Sequence, residues 1–299
     1  MQNLMDVYRQ DLRTAAVKGG IQLEILETDI DLYWRMALSM YLTIKDHSMA
    51  GRRTTMILPV GPVFQYRRFL ALLRESPLDL SEFHCFFMDE YLAEDGTLIP
   101  EDSPLSFRGF IKRELIAPMP AGLGFRKDQV HFPDPADPGK YDKLIVSLGG
   151  IDLCHAGVGI NGHLAFNEPP ESGGSSSSTD GEFADGEFAD GEFADGEFAD
   201  IPTRVVALSR ETRTINANTA LRGAYEQVPS RAVTVGMKQI LASRKLRIYL
   251  NRPWQAAVIR KALFLEPTAR FPVTLARNHR DLGFLLTELV AEEPQFGLR

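Results

Sequence analysis

The chain has 299 residues, 44% of them hydrophobic and 24% charged, with a formal net charge of −7. That supplies enough apolar material for one large or two small domains, and the acidic balance argues against a nucleic-acid or membrane surface as the main partner. The two cysteines, Cys85 and Cys154, sit in apolar runs and read as buried thiols of a reducing compartment.

The start, MQNLMDVYRQ, has no apolar signal region, and no stretch is long enough to span a bilayer. A cytoplasmic protein is the expectation. TTMILPV, residues 54–60, is a short apolar run closed by Gly61-Pro62 and followed by the helical pattern VFQYRRFLALL. That is a strand, a turn and a helix. FHCFFMDEY reads as a second buried strand that ends in acids, and KYDKLIVSLGG as a helix with a glycine stop. The apolar run IDLCHAG then opens into the glycine-rich loop GVGINGHLAFNEPPE, Gly157–Glu171. Further on, AVTVG, KLRIYL and LGFLLTEL read as strands, with MKQILAS and PWQAAVIRKAL as helices between them. Strands alternating with helices imply a parallel sheet covered on both faces. Ligands in such folds sit beyond the carboxyl ends of the strands, where the Gly61 turn, Asp89 and His163 fall.

One segment breaks this pattern. After a Gly/Ser run come four copies of DGEFA, Asp180 to Ala199, each with two acids and one Phe. A five-residue period suits neither helix nor strand, so residues 171–200 read as a solvated insertion that folding does not need. The chain as a whole, 1–299, reads as a single domain that carries this insertion. None of the six histidines lies in a metal-ligand pattern, and the acidic repeat lacks calcium-loop spacing, so neither a metal nor an organic cofactor is expected.

Three separated segments, FFMDEYL (Phe86–Leu92), GVGINGHLAFNEP (Gly157–Pro169) and VPSRAVTVGMKQIL (Val228–Leu241), resemble glucosamine-6-phosphate deaminase (isomerase) proteins. DSPLSFRGF (Asp102–Phe110) and TRTINAN (Thr212–Asn218) look similar too, so the resemblance covers roughly residues 50 to 285 apart from the repeats. It implies an α/β fold with a three-layer, modified Rossmann-like parallel sheet, shared with 6-phosphogluconolactonases and ribose-phosphate isomerases. A lactonase-like loop keeps the Gly-His turn but does not usually continue into AFNEP. The continuation here therefore favours proton transfer on an aldose–ketose pair over lactone hydrolysis.

The demands of that reaction fit the residues. Moving a proton between C1 and C2 of an open sugar needs a carboxylate base, which by resemblance is Asp89. Glu90 points to the opposite face of the strand and reads as structural. Opening the ring needs a group that titrates near neutrality, which suits His163, with Glu168 to orient or charge-balance the imidazole.

The chain also departs from the family pattern. The family places an Asp at the position of Asn161, where an amide cannot take a proton, so Asn161→Asp is expected to raise turnover. Its phosphate loop carries hydroxyls, whereas Val60 and Gly61 here bring none; Gly162 in the second loop is a further candidate for substrate binding. An Arg and a Lys of the family fall at Asn218 and Trp254, which leaves Arg252 as the best substitute cation and Arg222 as a weaker one. Trp254 could instead stack on the apolar side of a pyranose. The reading is an amino-sugar-phosphate isomerase or deaminase with an altered phosphate site. Its partner is a small sugar or sugar phosphate, and a homo-oligomer stays open. The alternatives are a catalytically weak sugar-binding module and a 6-phosphogluconolactonase-like hydrolase.

Overall fold

The computed structural model describes residues 3–14, 20–170 and 195–295. Strands β1 (Gln22–Leu26), β2 (Thr54–Leu58), β3 (Phe83–Phe87), β5 (Val130–His131), β6 (Leu153–Ala156), β9 (Lys245–Leu250) and β10 (Leu282–Thr287) form one sheet. Its order is β1-β10-β9-β6-β2-β3-β5, and every pairing is parallel. A smaller antiparallel sheet joins β4 (Asp89–Tyr91), β8 (Arg231–Thr234) and β7 (Arg204–Ala207) in the order β4-β8-β7.

Alternation along the central strands explains why both faces of the large sheet are covered. Met56 and Leu58 of β2, with Cys85 and Phe87 of β3, meet Met40, Ile44, Phe69 and Leu73 of the helices Asp29–Met49 and Gln65–Glu75. Ile57, Phe86, Cys154, Ile248 and Phe284 point the other way, onto Tyr141, Ile145, Val258 and Ile259 of the helices Pro138–Ser147 and Gln255–Phe264. A period of two with apolar residues on both sides is what a doubly covered parallel strand requires. The α/β fold class read from the sequence is the one observed. Both cysteines are buried and free, one on each face, and burial holds both thiols well above their usual range.

Two elements differ from the sequence reading. FHCFFMDEY is not one strand. It leaves the large sheet after Phe87, and Asp89–Tyr91 pairs antiparallel with Thr234, Val233 and Ala232. The run AVTVG accordingly belongs to the small sheet rather than to the parallel one. Apolar periodicity marks a strand as buried but does not say against which partner. The break is held by Val235, whose N–H donates to the carbonyl of Met88 at 2.7 Å.

The repeat is the second correction. Residues 171–194 lie outside the described residues. The last DGEFA copy, Asp195–Ala199, is a helical turn and not a solvated segment. Phe198 is only 2% exposed and belongs to the same core as Ile201, Met237 and Ile240. Asp195 Oδ1 accepts the N–H of Ala269 at 2.6 Å and ties the turn to the body. A repeat with one Phe per copy lacks the apolar surface to fold by itself, but a single copy needs only a socket supplied by the rest of the chain. Phe198→Ala should therefore lower stability by about 3–5 kcal/mol, as for other buried aromatics. Urea denaturation measures it, and a loss below about 1 kcal/mol would mean that the ring contributes little.

Candidate active site

The carboxyl ends of β2, β3, β6 and β9 open on one cavity of about 520 Å³. Its walls come from the Gly61 turn after β2, Asp89 and Tyr91 of β4, the Gly157–Phe166 loop after β6, and Asn251 to Gln255 after β9. Ser106, Phe107 and Phe110 close it on the side of the small sheet.

Asp89 stands where the chain passes from one sheet to the other. It is 8% exposed, lines the cavity, and its carboxyl has no hydrogen-bond partner among the described residues. Burial, and then the charge of Glu90, push it up to about 8. Glu90, on the opposite face of the same strand, is fully buried. It accepts from Ser106 Oγ at 2.8 Å, from the N–H groups of Phe107 and Arg108 at 3.1 and 2.9 Å, and from Tyr91 N–H at 2.9 Å. Arg108 Nε adds a contact at 3.4 Å. The residue thus satisfies the orphan amides that open the Phe107–Ile111 helix and fixes the wall carrying Phe107 and Phe110. Its structural reading holds.

His163 is 8% exposed and lines the cavity. The ring lies flat against Gly159, where a Cβ would come within 2.1 Å of its Cε1, so only glycine lets the imidazole into this place. Ala165 in the same loop takes a left-handed φ of +52°. Bonds on the following residues hold it there: Phe166 N–H donates to Thr234 Oγ1 at 3.0 Å, and Asn167 Nδ2 to the carbonyls of Leu164 and Val235 at 2.9 and 2.8 Å. A strained non-glycine residue kept by surrounding bonds is the pattern of a functional loop.

Behind the ring sits a hydrogen-bonded cluster that does not line the cavity. His163 Nδ1 is 2.8 Å from Asn161 Oδ1, 3.2 Å from Thr212 Oγ1 and 3.5 Å from Glu168 Oε2. An amide oxygen only accepts, so Nδ1 carries the proton and Nε2 is the atom left for a ligand. Asn161 Nδ2 in turn donates to Glu168 Oε2 at 2.6 Å and to Ser209 Oγ at 3.2 Å. Burial pushes the Glu168 carboxyl up, but the hydrogen bond and charge of His163, with hydrogen bonds from Asn161 and Thr212, outweigh it and hold the group at about 2. Asn161 is therefore a bridge. One end of its amide orients the imidazole and the other holds an ionised carboxylate in place.

Gly61, Val60, Arg252 and Trp254 also line the cavity. Asn218 does not: it is exposed, and Asn216 of the same Arg210–Leu221 helix lines the wall instead, with its Nδ2 on Tyr91 Oη at 3.0 Å. Gly162 is a second correction. It is not on the wall but takes φ +86° against the Phe271 ring, with its carbonyl accepting Val273 N–H at 2.8 Å. Arg222 caps the Arg210–Leu221 helix in a left-handed conformation and is likewise off the wall. Sequence reading missed Gln255. Its Oε1 accepts the N–H groups of Asn251 and Arg252, both at 2.9 Å, and its Nε2 donates to the Val158 carbonyl at 2.9 Å. Nothing in the sequence marks that contact, because its partners are 97 residues apart. Thr212 had a signal, as it opens TRTINAN.

Comparison with known proteins finds relatives along most of the chain. A glucosamine-6-phosphate deaminase of Thermoanaerobacter sp. (strain X514) is 26% identical over 236 residues, 77% of this chain and 79% of its own. One from Lachnoclostridium phytofermentans is 26% identical over 251 residues, 82% of this chain and 89% of its own. The chain is thus similar to glucosamine-6-phosphate deaminases over about four fifths of its length. No protein-family model matches it. Among solved structures, a monomeric glucosamine-6-phosphate deaminase superposes with a TM-score of 0.73 at 22% identity, covering 91% of this chain and 99% of that one. A 6-phosphogluconolactonase from Shewanella baltica gives 0.60 at 15%, covering 89% and 97%. Both share the fold of this chain.

The turnover gain expected from Asn161→Asp assumes that His163 lacks a counter-charge, and Glu168 already stands 3.5 Å from Nδ1. The substitution instead sets a second carboxylate where Asn161 Nδ2 now donates to Glu168 at 2.6 Å. Two like charges at that range favour uptake of a proton by the pair or by the ring. Asn161→Asp should therefore bring no gain in turnover, and thermal melts at pH 7 should show it less stable than the unaltered chain. A variant both faster and as stable would show that the amide bridge is dispensable.

Proposed function

We propose that this protein is an amino-sugar-phosphate isomerase and deaminase of carbohydrate metabolism, acting on a glucosamine-6-phosphate-like substrate with an altered phosphate site. The observation that carries the reading is the pairing of a partnerless, buried carboxyl at Asp89 with the oriented His163 on one cavity. His163 Nε2 takes and returns the proton that opens the sugar ring. Ionised Asp89 then removes the proton from C2 of the open aldose and delivers it to C1. Water adds at C2 of the resulting ketose imine, and ammonia leaves with the nitrogen. Atoms balance as amino-aldose plus water giving ketose plus ammonia.

The altered phosphate end rests on three features of the wall. Val60, Pro62 and Val63 bring no side-chain donor to the first loop. Arg252 is the one Lys or Arg lining the cavity among the described residues, and it is exposed. Gln255 Oε1 already occupies the N–H groups of Asn251 and Arg252. A weakened anion grip also favours a second reading, a sugar-binding module of low turnover, which retention of Asp89 and His163 opposes.

The base must be ionised to act, and burial raises Asp89 to about 8. Turnover should therefore climb as pH rises towards 8 and level off above it. Asp89→Asn should lower kcat by roughly 10²-fold or more with binding retained. The same substitution should stabilise the fold. A carboxyl whose folded value is raised contributes stability below its unfolded value and loses it as pH rises through the folded one, so Tm of the variant should exceed wild type most at pH 8 and above. Unchanged turnover in Asp89→Asn would reject Asp89 as the base. Binding without turnover in wild type, at any pH, would favour the module.

A further inference from the structure

We propose that Tyr91 is a catalytic residue of the same cavity, whose hydroxyl donates a hydrogen bond to the sugar oxygen at C1 while Asp89 moves the proton, and that Asn216 positions it. This role rests on the reaction proposed above. When Asp89 takes the proton from C2, the C–H electron pair becomes the C1=C2 double bond and the carbonyl pair collects on O1. Donors preorganised around such an oxygen supply a large share of the stabilisation that catalysis needs. His163 is not that donor. Its Nδ1 carries the proton and is turned to Asn161, so Nε2 meets the open aldose with a lone pair once it has returned the proton that opened the ring.

Tyr91 has the missing proton. Asp89 and Tyr91 are alternate residues of β4, so both side chains leave the strand on one face, and both line the cavity. Tyr91 is 4% exposed. Its Oη accepts from Asn216 Nδ2 at 3.0 Å, and its own proton has no acceptor among the described residues. A buried donor left unsatisfied is costly, and a ligand oxygen removes that cost. The ring packs against Phe107 and Phe166, with centroids 4.9 and 5.6 Å away, and the backbone is fixed by pairing with Ala232. Burial, and then the charge of Asp89, hold the phenol above its usual range, so it keeps its proton where Asp89 is ionised and able to act. Tyr91 therefore gives a hydrogen bond and no proton. O1 is neutralised by a proton from the substrate's ammonium group, Asp89 returns the C2 proton to C1, and the nitrogen lone pair closes the C2 imine.

Tyr91→Phe keeps the ring and removes the hydroxyl. Turnover of glucosamine 6-phosphate should fall about 10²-fold, the usual cost of one such donor, with KM nearly unchanged. Ring opening, followed by NMR as exchange between the two anomers, should keep its rate, because it belongs to His163. That exchange also reports a folded site. Unchanged turnover, a change confined to KM, or an equal loss of anomer exchange would each overturn the role of Tyr91. Asn216→Ala leaves both the ring and the hydroxyl in place and should lower kcat by less, about tenfold, while adding it to Tyr91→Phe should cost nothing more. Losses that multiply in the double variant would overturn Asn216 as a residue that acts through the hydroxyl. Absence of turnover in the unaltered chain would reject the proposed reaction and this role together, whereas turnover that survives Tyr91→Phe rejects the role alone.

Discussion

The site depends on a single change of partner in the backbone. Before Met88 the third strand of the parallel sheet ends, and Asp89–Tyr91 pair antiparallel with Thr234, Val233 and Ala232. A strand sends neighbouring side chains to opposite faces, so Asp89 and Glu90 part company there. One meets the cavity with no partner. The other meets the start of a helix, where five donors converge on it. The same carboxylate chemistry thus does two jobs, and environment assigns them. Glu90 is satisfied and holds the wall, while Asp89 is desolvated, unsatisfied and raised to about 8. A carboxyl raised towards neutrality follows from that placement.

The histidine loop obeys a different constraint, that of room. The imidazole fits because residue 159 has no side chain, and its direction is set from behind by an amide. An amide has both a donor and an acceptor, which a carboxylate lacks. Asn161 uses the acceptor on His163 and the donor on Glu168. The charge that balances the ring is thereby supplied one residue further back, by a carboxylate held ionised at about 2. What looks in the sequence like a missing charge is, in space, a spacer between two groups that need each other.

The last copy of the acidic repeat shows what context supplies. The copy next to Asp200 places its Phe198 in the main core. The pentapeptide carries one aromatic ring and cannot offset the entropy of ordering five residues alone. With the core around Ile201, Met237 and Ile240 already built, that ring has a place to go and the turn closes over it.

The sequence by itself determined the parallel α/β class, the two buried thiols and the pairing of Asp89 with His163 at strand ends. Each of these rests on local signals: apolar alternation, a glycine turn after a strand, and motifs a few residues long. Only the tertiary structure decided that β4 and β8 belong to a second sheet, that Gln255 closes over the amides of Asn251 and Arg252, and that Asn218 and Gly162 stay off the cavity wall. It also decided which way the amide of Asn161 points. The physical reason is the same in each case. Periodicity records how deeply a residue is buried. What it is buried against is recorded by hydrogen bonds that run from Gln255 to Asn251, four residues away, and from Gln255 to Val158, 97 residues away, and apolar patterning marks neither.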